Sequence, residues 1–473
     1  MKNRSLISNS FFIFIIRFFP SLANLLVVVW YSRRLPQEVY GNYQHFWIQL
    51  SVLCPLACIG IHVLTVTYAP GFIMKLLKTI KARQYTLYGF WVLALAILFA
   101  ALQHSALEIS LFIPFLFLIS YTLATIFESF LIVFRNYQSL VAINVIYSAL
   151  FWGIHWFVLG HSFSLHTVFV YLLILTVLRL CIYWGIAIIN VQRYDEEEHE
   201  EEYNLGKIRT LWMHLGVYDV TQILSNWVDK FIISLTLSAP LSAIYYNGSQ
   251  NIPFLPLLLS AAGSAVLIQL ARGGRKNETT DVIQLMNQMG RMLSCIVFPV
   301  FFFLLLFRVD FIVTIFTVKY LPAVPVFMAA LFILPVRAYH FTTVLQRMHK
   351  GSIINIGAIA ELILACTLIY PLYRWIGLPG VALSFVISTY FQATFYLFYS
   401  ARLLQTSPLK LVPYVNWLVK LIVFATLFIA IRYAAYRYFT GIIPLILGGA
   451  MMIVMVCVSL LIEYKKQSNY GRR

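Results

Sequence analysis

The stretch Leu211–Leu237, LWMHLGVYDVTQILSNWVDKFIISLTL, decides how the chain is to be read. A bilayer span needs about 20 mainly apolar residues, and this stretch is long enough. Yet it carries Asp219, Gln222, Asn226, Asp229 and Lys230. At about 100° per residue these five side chains fall on a stripe roughly 100° wide, with the rest of the circumference mostly apolar. A charge facing hydrocarbon costs about 3 kcal/mol even on lenient insertion scales. The stripe is therefore expected to face a protein interior or a water-filled cavity, and the rest of the chain to build that cavity.

Working outward, the chain of 473 residues is 61% hydrophobic and 11% charged, where soluble domains carry about 25% charged residues. This predicts an all-α integral membrane protein with no separate soluble domain. Apolar runs near 9–31, 41–67, 86–103, 110–134, 140–159 and 167–189 make a first set of six helices. Runs near 212–237, 244–270, 292–307, 323–345, 353–373 and 379–401 make a second, and 415–435 and 442–462 a terminal pair. That is about fourteen transmembrane helices. The expected divisions are an N-terminal six-helix bundle over 1–189, an acidic cytoplasmic linker over 190–211, a second bundle over 212–401, and two additional helices with a basic tail over 402–473.

The net charge of +17 does not mark a nucleic-acid partner. Lys75, Lys78, Lys81 and Arg83, then Arg272, Arg275 and Lys276, then Arg347 and Lys350 sit between spans, with Lys2, Arg4 and Lys465–Lys466 at the ends. By the positive-inside rule these loops and both termini are cytoplasmic. Lys2 and Arg4 precede an apolar run with no small-residue cleavage site, so the first helix is expected to be retained. The run Asp195–Glu202 reads as a solvated linker between halves. Cys54, Cys58, Cys181, Cys295, Cys366 and Cys457 lie in apolar spans without metal-ligand or disulfide spacing. No catalytic or metal-binding signature is found.

A shift of 205 residues superimposes Arg17, Ser21 and Asn24 on Gln222, Asn226 and Asp229, and Val39, Tyr40 and Asn42 on Ile244, Tyr245 and Asn247. Spacings of i, i+4 and i+7 share a helix face, so the first and seventh spans each carry a polar stripe at one depth. Six spans per half give halves of like orientation, related by an axis along the membrane normal, with these two spans flanking a central cleft. Ionisable groups inside spans are functional candidates: Arg17, Arg179, Lys230, Arg337, Asp219, Asp229 and Glu361. Cations prevail, and arginine suits bidentate contact with phosphate. Arg17, Ser21, Asn24, Asn226, Lys230, Arg179 and Arg337 are the expected substrate contacts. Asp229, Asp219 and Glu361 are the expected ion-coupling groups.

The pattern resembles the polysaccharide (O-antigen) flippases of the multidrug/oligosaccharidyl-lipid/polysaccharide (MOP) exporter superfamily. The resemblance rests on Asn226, Asp229 and Lys230 followed by SAPLSAIYYNGSQ, on RRLPQEVYGNY (Arg33–Tyr43), on VKYLPAVPVF (Val318–Phe327) and on IGLPGVALSFVIS (Ile376–Ser388). Lys230 stands where the family usually has Arg, and Tyr246 where Gly is commoner. The resemblance implies two pseudo-symmetric six-helix bundles plus two helices in the bacterial inner membrane. It implies that undecaprenyl-pyrophosphate-linked oligosaccharide, the lipid-linked partner, moves from the cytoplasmic to the periplasmic leaflet by alternating access through a cationic cleft. Coupling to a proton or sodium gradient, contact with membrane lipids and association with other polysaccharide-assembly proteins would follow, with no cofactor and no covalent chemistry. The alternatives are an ion-coupled multidrug extruder of the same superfamily and, in another class, a membrane glycan polymerase or ligase.

Overall fold

A computed structural model describes residues 2–68, 70–107, 110–161, 164–193, 205–250 and 279–470. The acidic run 195–202, most of the expected eighth span and the basic turn 272–276 lie outside the described residues. Among those described, eleven helices are long and apolar enough to cross a membrane, twelve if one bent pair counts as a span. Fourteen is therefore not established as a count. All regular structure among them is helical, as suits a bilayer, where helices satisfy their backbone groups internally. The residues fall into two compact units, Met1–Ala243 and Ile244–Arg473.

In the first unit the helices are α1 (Lys2–Arg34), α2 (Gln37–Cys58), α3 (Ile61–Thr67), α4 (Pro70–Thr79), α5 (Ala82–Leu107), α6 (Phe112–Val133), α7 (Tyr137–Gly160), α8 (Leu165–Arg193) and α9 (Leu205–Thr236). Helix α10 (Ala239–Gly248) crosses to the second unit. Helix α1 packs on α7, α6 on α8, and α2 on both α5 and α9. The stretch that opened the reading, here α9, lies in the first unit. It packs against α2 and α3, and Gly216 lies so close to Gly60 that a Cβ on Gly60 would sit 2.5 Å from its Cα. Small residues let membrane helices cross this closely.

The run expected as one helix over 41–67 is broken. Pro55 removes an amide from the ladder of α2, and Ile59 and Gly60 both take left-handed backbone angles, φ 44° and 74°. The chain bends by 56° between α2 and α3. A β-branched residue at positive φ is strained, and two indoles support it. Trp91 of α5 donates to the Leu56 carbonyl at 3.0 Å, and Trp212 of α9 to the Ile59 carbonyl at 2.8 Å. The carbonyls left orphaned by the break thus find donors.

The second unit holds α11 (Thr279–Leu306), α12 (Arg308–Phe316), α13 (Val324–Leu331), α14 (Thr343–Arg347), α15 (Gly351–Ile376), α16 (Leu378–Leu403), α17 (Pro408–Leu411), α18 (Tyr414–Tyr438) and α19 (Ile443–Tyr470). In α11, 61% of the span Asp281–Leu306 is buried, against 11% and 17% for α18 and α19, so the terminal pair lies at the periphery. A polar cluster ties it on. Lys420 donates to the Arg291 carbonyl at 2.6 Å and pairs with Glu463 at 3.2 Å, while Trp417 donates to the Gly290 carbonyl at 3.0 Å. The run 323–345, expected as one helix, is interrupted: α13 ends at Leu331, a 3-10 turn follows at Pro335–Ala338, and α14 begins at Thr343.

Candidate functional site

Two polar groupings lie within the spans of the first unit, and they differ in how completely they are satisfied. The first is closed. Arg179 of α8 pairs with Glu128 of α6 and donates from Nε to the Tyr183 hydroxyl at 3.1 Å. The Tyr183 hydroxyl lies 3.2 Å from Glu128 and 2.9 Å from Asn144 Oδ1 of α7, and the guanidinium also covers the Tyr147 ring at 4.6 Å. Asn144 then donates to the Ile16 carbonyl of α1 at 3.3 Å. Four helices are joined by one arginine and its partners, and the chain ends on the backbone beside Arg17. Such a network is costly to break because each buried charge depends on its partner.

The second grouping is open. Arg17, Ser21 and Asn24 share a face of α1 and all three are exposed. Ser21 donates to the Arg17 carbonyl at 2.8 Å, a local bond that leaves its oxygen free to accept. On α9, Asn226 is also exposed and donates to the Gln222 carbonyl at 2.7 Å. The stripe of α9 does not act as one surface, however. Asp229 and Lys230 are 4% and 6% exposed and pair with each other, Nζ lying 3.3 Å from Oδ2, with the ammonium 5.7 Å from the Trp227 ring centroid. Asp219, about 15 Å further along the axis, meets His62 of α3 instead, 3.5 Å from Nε2 to Oδ2.

In the second unit, Glu361 of α15 is buried and accepts from the Thr389 hydroxyl of α16 at 2.7 Å, with Gln392 as a further partner. The Arg337 side chain is exposed and springs from the interrupted stretch after α13. Irregular backbone at membrane depth is tolerated where it is buried in protein or lines a cavity.

Sequence reading missed His62 and Glu128. Each is an ionisable group in an apolar run, IGIHVLTV and TIFESFLI, and met the same criterion as the residues that were singled out. Among the described residues no group of three His, Cys, Asp or Glu side chains is placed to hold a metal ion. The arrangement offers cations, hydroxyls and amides to an anionic or hydroxyl-rich molecule.

Residues 172–325 match the family model described as "Polysaccharide biosynthesis protein". Among solved structures, the lipid II flippase MurJ in an inward closed conformation is similar over 99% of this chain and 100% of its own, with a TM-score of 0.62 at 14% identity. The fold is that of the MOP-superfamily transporters. A MOP superfamily transporter from Pyrococcus furiosus, described as having a binding pocket of reverse polarity, matches over 84% of this chain and 95% of its own, with a TM-score of 0.55 at 14% identity. A multidrug resistance MATE family transporter in an inward-facing conformation covers 82% of this chain and 94% of its own, with a TM-score of 0.53 at 12% identity. Among curated proteins no sequence matches. These likenesses bear out the fold that the resemblance implied, and the long apolar helices make the chain a multi-pass membrane protein with the fold of transporters and flippases.

Proposed function

We propose that this MOP-fold protein flips undecaprenyl-pyrophosphate-linked oligosaccharide units from the cytoplasmic to the periplasmic leaflet of a bacterial inner membrane, by alternating access. The observation that carries this reading is Arg17: a guanidinium inside a span, exposed together with Ser21 and Asn24 on the same face. An open arginine at that depth suits an anion, and pyrophosphate offers the oxygens for a bidentate contact. Asn226 extends the polar surface toward sugar hydroxyls, and Arg337 supplies a second open cation in the other unit. Lys230 acts in this reading through its field, since its ammonium is shared with Asp229. Arg179, committed to Glu128, serves to hold α1 in place rather than to touch substrate. Asp229, Asp219 and Glu361 are the coupling groups, for protons or sodium ions. Both termini lie in the cytoplasm, and other polysaccharide-assembly proteins supply and receive the unit. The match over 172–325 to a polysaccharide-biosynthesis family supports the substrate class.

A multidrug extruder is the second reading, favoured by the likeness to the multidrug resistance transporter. The two predict opposite charge preference. In proteoliposomes the proposed flippase moves a pyrophosphate-linked oligosaccharide lipid and leaves lipophilic cations in place. Transport of the cations without the lipid would establish the extruder instead.

A further inference from the structure

Helix α1 carries Pro20 in its interior. Proline has no amide hydrogen, so the carbonyl four residues back, that of Ile16, has no donor at that position of the helix. At membrane depth an unsatisfied backbone group costs several kcal/mol. Asn144 of α7 supplies the missing donor, its Nδ2 lying 3.3 Å from the Ile16 oxygen. The second unit makes the same repair. Pro299 of α11 withholds an amide from Cys295, and the Ser459 hydroxyl of α19 donates to the Cys295 carbonyl at 3.2 Å. The two cases differ in what springs from the repaired peptide group. Its nitrogen belongs to Ile296 in the second unit and to Arg17 in the first.

At Arg17 the repair therefore bears on the open face of α1. The Ile16 side chain is buried, 1% exposed, in a cluster with Leu131, Leu140 and Tyr183, while its neighbour Arg17 is exposed. The Cα of Arg17 sits between two peptide groups whose carbonyls each take a side-chain donor. The Ile16 carbonyl takes it from Asn144 and the Arg17 carbonyl from Ser21, at 2.8 Å. The orphaned carbonyl also orders the protons behind it. A carbonyl only accepts, so Nδ2 of Asn144 faces it and Oδ1 is turned to Tyr183. The Tyr183 hydroxyl, 2.9 Å from Oδ1, has a single hydrogen and gives it to Asn144. The Glu128 carboxylate is left to Arg179, with which it pairs. Reversing the amide would set two carbonyl oxygens against each other and leave the peptide group before Arg17 unheld.

We propose that Asn144 is a positioning residue for Arg17: its amide replaces the donor that Pro20 withholds, and so sets where the guanidinium meets an anionic phosphate group. This rests on the reading of Arg17 as the anion contact. Asn144 is itself 1% exposed and acts through the backbone alone. Tyr183 stands one step behind it and orients the amide.

The test is binding of inorganic pyrophosphate to the purified full-length protein in phosphatidylcholine nanodiscs, with proline or alanine at position 20. Pro20→Ala returns an amide to the Ile16 carbonyl and is expected to bind within about twofold of wild type. Asn144→Leu is expected to weaken binding about tenfold, as a displaced contact does. Tyr183→Phe, which frees the amide to turn, should weaken it less. Adding Pro20→Ala should bring either variant back close to the wild-type affinity, a rescue that a general loss of packing would not give. Ser459→Ala removes the like bond from a peptide group that carries no charge and should bind as wild type does. If Asn144→Leu binds as wild type, or weakens binding equally with proline and with alanine at position 20, the positioning role is refuted. Loss of binding in Pro20→Ala alone would refute it too, since the proline would then do more than withhold an amide. In each case a weakened Arg17→Gln leaves the Arg17 reading standing. If Arg17→Gln binds as wild type does, the Arg17 reading itself has failed.

Discussion

Arg17 and Arg179 are both arginines inside apolar helices of the same unit, and a single hydrogen bond, from Asn144 to the Ile16 carbonyl, connects the network of one to the backbone of the other. They are opposites in what surrounds them. Arg179 has a carboxylate, a phenol and an aromatic face, and its side chain is only 12% exposed. Arg17 is exposed beside two further polar side chains. A charge within a membrane span is thus not by itself a sign of function. The completeness of its partner set separates a charge that holds helices together from one that remains available to a ligand.

That contrast can be broken by mutation. Arg179→Ala is expected to have the largest effect on folding, about 3–5 kcal/mol, because it strands the Glu128 carboxylate. Folded yield and melting temperature measure the loss, and the double replacement with Glu128→Gln should recover much of it. If the single variant folds normally and only transport suffers, Arg179 belongs with Arg17 and the contrast is wrong. Next comes Gly60→Ala, at about 1–3 kcal/mol. Its Cβ would meet the Gly216 Cα at 2.5 Å, and its φ of 74° disfavours any side chain. A thermal melt indistinguishable from wild type would show that α3 and α9 do not need that contact. Trp212→Phe is the mildest of the three. It removes one donor to the Ile59 carbonyl and is expected to cost about 1 kcal/mol. Amide hydrogen exchange around 56–62 should rise in this variant while α7 and α8 stay protected.

The polar stripe on Leu211–Leu237 was legible because helical periodicity alone places its residues, and its exclusion from lipid follows from the cost of buried charge. What periodicity cannot show is which charges find partners. Lys230 was expected to contact substrate and Asp229 to couple an ion, and in the structure the two pair with each other; Asp219 shares their stripe and meets His62 on α3. Pairing is a tertiary fact, set by helices far apart in sequence. The two breaks were half visible. Pro55 and Gly60 marked the first, and Pro335 the second, but proline and glycine are tolerated within membrane helices when neighbours supply the missing bonds. Here the supplying groups are Trp91 and Trp212, whose role depends on packing. The match at a shift of 205 residues places polar side chains on faces of two helices, while the packing of α9 against α2 and α3 is not written in that spacing.

The central claim is that the open arginine of α1 contacts the anionic head of the transported lipid. It is tested most directly by the flipping rate of undecaprenyl-pyrophosphate-linked oligosaccharide in proteoliposomes containing wild type or Arg17→Ala, with melting temperatures measured on the same preparations. The account predicts a rate reduced at least tenfold, stability within about 0.5 kcal/mol of wild type as for an exposed substitution, and partial recovery in Arg17→Lys. An Arg17→Ala protein that flips the lipid at the wild-type rate would contradict it.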